Sequence, residues 1–233
     1  MRKGVLLCLF ILLFSGCSKS MQNYYKMTDA VFEPSNYFVH PEYDRFKIRR
    51  VMFAPIKNET TYSDVQRVLE PIFMTEWSKI NYFEIVPAYG DVRNEFDSFH
   101  IHERGRFYKL RLYDIAKRFN VDAVIFTHVT RYSPYEPCTI GINVQMIHTY
   151  SGVVVWALNE TYDGKLREVE NMVRNYYFEN MRFEYPLLDW KIMMVSMRNF
   201  AQAVGYSVAN SLTDYIVPPR INEAVINAAT LSD

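Results

Sequence analysis

The chain has 233 residues, enough for one domain with a full core and a short appended element. Its 26 lysines and arginines balance 26 aspartates and glutamates, so no global field argues for nucleic acid as a partner. Aromatic residues make up 16%, including 18 tyrosines, whose apolar face and polar tip suit both cores and protein interfaces.

Arg2 and Lys3 give the chain a positive start, and Val5 to Phe14 form an unbroken apolar run. As a helix that run is roughly 15 Å long, about half the hydrocarbon thickness, so it reads as a secretory signal and not as a membrane span. Ser15 and Gly16 then lead into Cys17. Phe14-Ser15-Gly16-Cys17 resembles the lipobox of bacterial lipoproteins, although Phe14 stands where leucine is usual. The resemblance implies cleavage between Gly16 and Cys17 and lipidation at Cys17. The alternative is an ordinary signal with a chance cysteine. A single acyl chain binds a membrane only marginally, whereas two or three hold it stably. Ser18, being other than aspartate, leans by the same resemblance toward the outer membrane.

Residues 1–16 are thus expected to be a signal peptide, and 17–46 a lipidated start and aromatic-rich tether. The tether carries Tyr24, Tyr25, Phe32, Tyr37, Phe38 and Tyr43 without helical or strand period. That many rings is unusual for free disorder, so part of it is expected to pack on the domain or on a neighbour. The folded domain is placed at 47–217. Ile48 to Ile56 reads as a strand ending at Pro55. Ser63 or Asp64 caps a helix with Val65, Val68, Leu69, Ile72, Phe73 and Trp77 at 3.6-residue spacing. Pro71 should bend that helix or mark a late start. Phe83 to Val86 is a short strand, residues 88 to 105 read as polar and irregular, and Tyr108 to Phe119 is a second helix.

Val121 to Val129 is nearly continuous apolar, as suits a central strand covered on both faces. Ile140, Ile142, Val144 and Met146 alternate with Gly141, Asn143 and Gln145. A second alternating run spans Val153 to Tyr162, and Tyr150-Ser151-Gly152 joins the two as a hairpin. Lys165 to Tyr185 reads as helical in its first half. Leu188 to Ile216 reads as one long amphipathic helix, ended by Pro218-Pro219, with 218–233 a short tail. The fold class is α/β (α+β), a mixed sheet packed by helices in two or three layers, in the order β-α-β-α-β-β-β-α.

That order and several strings resemble the TolB amino-terminal-like domain, shared by the curli-secretion (CsgG), Pel-polysaccharide (PelC) and LpoB-type lipoproteins and by flagellar-ring accessory proteins. The strings are Arg50 to Asn58, Tyr82 to Pro87, Ile115 to Ile125, and Val144 to Gly152 followed by Trp156, with Asp163-Gly164 at the exit from the sheet. They span roughly residues 48 to 213. Each also has a plain physical reading: Asn120 can close a helix in the left-handed region, Ser151-Gly152 suits a tight turn, and Trp156 is a core residue.

The resemblance implies a non-enzymatic scaffold of an export, fibre or flagellar-ring machine, with envelope proteins as partners and a homo-oligomeric ring. The alternative is a monomeric regulator of a cell-wall synthase. No nucleotide, nucleophile-elbow or zinc-protease motif occurs, and no catalytic residue or cofactor is expected. His100 and His102 form an H-x-H pair with only Glu103 as a nearby third donor; a solvated pair is the ordinary reading, and no metal is expected. Arg104, Arg106, Lys109 and Arg111 make a local basic cluster, read as a solvated helix start. Cys8 leaves with the signal, which makes Cys138 a lone thiol, read as a small half-buried residue. The long insertions from which the curli family builds a membrane barrel are missing from the pattern, which argues against a pore formed by this chain alone.

Overall fold

The computed structural model describes residues 30–98, 102–103, 106–107, 109–183 and 189–216. Gly16, Cys17, His100, Arg104 and the 218–233 tail lie outside the described residues. The strands are β1 (Tyr37–Val39), β2 (Arg50–Phe53), β3 (Lys57–Asn58), β4 (Glu84–Pro87), β5 (His102–Glu103), β6 (Arg106–Phe107), β7 (Ala123–Ser133), β8 (Thr139–His148) and β9 (Val154–Asp163). The helices are α1 (Val65–Lys79), α2 (Asp91–Ser98), α3 (Lys109–Phe119), α4 (Arg167–Tyr176), α5 (Ile192–Val195) and α6 (Met197–Ile216). A π-helical turn, Tyr177–Met181, follows α4 directly.

The main sheet is mixed and runs β1-β9-β8-β7-β2-β4, with β3 alongside β7 past the end of β2. β7 is central, as its apolar composition predicts: it pairs parallel with β2 and β3 and antiparallel with β8. The strand expected from Ile48 to Ile56 is β2, shorter at Arg50–Phe53, and β3 follows it at Lys57–Asn58. Pro55, lacking an N–H, interrupts the ladder between them. The β8–β9 hairpin turns at Gly152, whose φ of 69° only glycine adopts readily. Asn81 and Asn120 both take φ 51°, each closing the helix before a strand.

One face of the sheet holds the larger core, with Val51, Phe53, Ile125, Ile142, Val144, Met146 and Trp156 packed under α1, α4 and α6. The other holds a smaller core in which Met52, Val124, Phe126 and Ile147 meet Val92 of α2 and Leu112 and Ile115 of α3. The three-layer form of the architecture is therefore realised where α2 and α3 lie. α1 runs through Pro71 without a late start. α6 reaches α1 closely because Gly205 faces Glu76: a Cβ on that glycine would sit 3.1 Å from Glu76 Cγ. Glu76 is itself buried, its Oε1 accepting from Lys79 Nζ at 2.7 Å and Tyr176 Oη at 3.2 Å.

Three departures from the sequence reading have physical causes. Residues 91–98 are helical, not irregular: Val92 and Phe96, four apart, seat the helix on the smaller core, too few apolar residues to show a period. Tyr37–Val39, read without period, is an edge strand whose partner is β9. The long C-terminal helix breaks at Ser196, which is extended (φ −108°, ψ 112°) and whose Oγ accepts from Asn199 N, so it caps α6 and cuts off α5.

Candidate assembly surface

The edge strand β1 is held by a carboxylate. Glu160 Oε1 on β9 accepts from the backbone N–H of Ser35 and of Asn36, both at 2.7 Å, and from Ser35 Oγ at 3.2 Å. Backbone bonds from Phe32 N to Glu168 O and from His40 N to Val155 O, both 2.9 Å, fasten the two ends of the segment. The register sets Phe38 beside Ala157 and Val39 beside Trp156. Because side chains alternate across a strand, Val39 joins the larger core while Phe38 stays about half exposed at 46%.

From Phe38 a continuous run of rings crosses the end of the sheet. Phe38 meets His40 at 6.4 Å between centroids, His40 meets Phe46 at 5.1 Å, and Phe46 meets His148 at 5.0 Å. His148 then meets Tyr150 at 5.9 Å, and Tyr150 meets Tyr113 of α3 at 5.8 Å. Lys117 Nζ lies 4.5 Å over the Tyr113 ring, and its pKa is raised by a hydrogen bond with that tyrosine. Tyr150 is 45% and Tyr113 37% exposed. Such edge-on contacts preorganise rings that still face water, the composition found at protein interfaces.

Both histidines in the run use Nδ1 as an acceptor. His40 Nδ1 takes the Glu42 N–H at 3.1 Å; His148 Nδ1 takes the Ser151 N–H at 3.3 Å and lies 2.8 Å from Ser151 Oγ. A nitrogen that accepts a backbone N–H carries no proton, so the proton of each neutral ring sits on Nε2. Burial lowers the pKa of His148, with Asp122 pulling weakly the other way.

The other sequence candidates fall elsewhere. His102 belongs to the two-residue strand β5, and no group of three His, Cys, Asp or Glu side chains able to hold a metal occurs among the described residues. Lys109 and Arg111 are exposed at the start of α3. Cys138 is fully buried, not half-buried; its Sγ lies 3.7 Å from Pro134 O, and burial pushes the thiol up to about 11, far from a nucleophile's range. Trp156 is fully buried, with its ring 5.4 Å from Trp77, in the core as expected. His128 is paired with Glu59 Oε1 at 2.9 Å.

Asp122 is the residue whose role the sequence concealed. Its Oδ2 accepts from Arg49 N at 2.9 Å and Arg50 N at 3.0 Å, stapling the start of β2 to β7. Thr149 Oγ1 adds bonds to Val121 O and Asp122 O, tying in the hairpin. No helix among the described residues is long and apolar enough to cross a membrane.

No protein-family model matches the chain, and no curated protein matches it. Several solved structures share part of its chain path. The PelC dodecamer from Paraburkholderia phytofirmans is 13% identical, with 60% of this chain and 84% of that one covered at a TM-score of 0.37. Lipoprotein GNA1162 from Neisseria meningitidis is 16% identical, with 49% and 81% covered at 0.38. The hypothetical protein CT253 from Chlamydia trachomatis is 8% identical, with 72% and 98% covered at 0.45. Each is a distant and partial likeness.

Proposed function

We propose that this chain is a non-enzymatic lipoprotein of the bacterial envelope, anchored at Cys17 in the outer membrane and facing the periplasm. Its domain works as an assembly scaffold for an export, fibre or flagellar-ring machine, joining copies of itself and envelope proteins. The observation that carries the assembly reading is the ring run from Phe38 to Tyr113, which starts on the edge strand β1. An edge strand offers backbone groups for pairing, and the rings offer preorganised area at little entropic cost. The anchor reading is supported by Arg2, Lys3, the apolar run and the small residues that lead into Cys17.

Light scattering on the chain without residues 1–17 tests the assembly: defined oligomers are expected. A strict monomer at high micromolar concentration would overturn it and leave the synthase-regulator reading standing. The anchor is tested separately. Cys17→Ser should release the protein into the soluble periplasmic fraction, and continued acylated membrane retention would refute the assignment.

A further inference from the structure

A second feature lies apart from the ring run, at the opposite end of β9. Residues 31–37, α4 with its π-helical turn, and α6 enclose a cleft of about 440 Å³. That is the size of a small-ligand site. We propose that this cleft binds an organic cation, an ammonium or guanidinium group.

The charge of the lining is one-sided. Glu33 on the N-terminal wall and Glu179 on the π-helical turn line the cleft as solvent-exposed residues, and none of the lining residues is lysine or arginine. Among the described residues neither carboxylate has an ion pair or a hydrogen-bond partner. The amides of Asn175 and Asn210 also line the cleft and add neutral acceptors. Two carboxylates without a cation repel an anion and attract a positive group.

The apolar part of the lining favours the same ligand. Tyr176 and Tyr206 line the cleft with ring centroids 5.2 Å apart and planes at 60°. Tyr176 is buried with its hydroxyl on Glu76 and backs Tyr206, so the rings a ligand can reach are those of Tyr206 and of Tyr37, which also lines the cleft. Ring faces beside carboxylates bind ammonium and guanidinium groups through the ring quadrupole.

The walls are built in advance. Glu160 and Glu168 hold the segment carrying Glu33, through the bonds to Ser35, Asn36 and Phe32. The opposite wall contains the π-helical turn, closed by a 2.9 Å bond from Arg182 N to Tyr177 O. Such turns add a residue to the helical register and shift the side chains they carry, here Glu179.

Isothermal titration calorimetry on the detergent-solubilised full chain tests this, with spermidine as a free amine and an arginine-containing neutral-capped peptide as a side-chain source. Saturable binding of either probe, weakened by salt, is expected, and the tighter probe identifies the source. Glu33→Gln with Glu179→Gln should weaken it about tenfold, and Tyr206→Leu several-fold. Asn210→Asp, which adds a third carboxylate, should tighten it about threefold and keeps the test open should the double variant misfold. Glu136→Gln, exposed elsewhere, should change nothing. Absence of saturable binding by both probes, indifference to the charge variants, or displacement by a neutral sugar would overturn the proposal.

Discussion

Trp156 and Phe38 sit on neighbouring strands one register step apart, yet one is sealed in the core and the other half exposed. Trp156 points to the face roofed by α1, where it meets Trp77, and Trp77 in turn stacks on Phe83. Phe38 points the other way and starts a chain of rings that water still reaches. Both side chains are aromatic, so parity along the strand decides which rings hold the fold together and which remain for a partner.

Truncating the sealed group should cost the most. Trp156→Ala is expected to lose about 3–5 kcal/mol of unfolding free energy in urea, by lost burial and an unfilled cavity. A loss under 1 kcal/mol would mean that this core is looser than its burial implies. Gly205→Leu, which drives a side chain into Glu76 on α1, should lose about 1–3 kcal/mol in the same measurement. On the exposed side the sign of the contrast reverses. Phe38→Ser with Tyr150→Ser should change stability by less than about 1 kcal/mol while lowering self-association at least several-fold by light scattering. Large destabilisation with unchanged association would place these rings in the fold and not in an interface.

The smallest effect concerns His148, whose folded pKa lies below its ordinary 6.5. The unfolded chain then binds more protons at that site, so this contribution is present above pH 6.5 and is lost as pH falls through the lowered folded value. Urea midpoints measured across that window should fall with acid, and His148→Gln should flatten that part of the slope. An unchanged slope would remove His148 from the account.

Much of this was legible in the order of residues. The apolar run into β7, the alternation of β8 and β9 and the glycine at their turn carry their own geometry. α2 was hidden because Val92 and Phe96 alone mark its buried side. β1 was hidden because three residues hold no period and their pairing depends on β9, more than a hundred positions away. The break at Ser196 lay inside a pattern that reads as unbroken amphipathic helix, and only the cap geometry separates α5 from α6. The cleft was illegible for a different reason: Glu33, Glu179 and Asn210 come from three distant segments, and no local spacing joins them.

The bond from Phe32 N to Glu168 O also sets a ceiling. If Cys17 holds the lipid, a fully extended chain from it to Phe32 spans at most about 50 Å. Whatever path that stretch takes, the domain is confined to a shell of that depth above the membrane. Were Phe32 released, Glu160 would still hold Ser35 and Asn36 and move the fixed point by only three residues. The bonds that dock this segment would thus act together as an altitude stop, limiting which partners come within range.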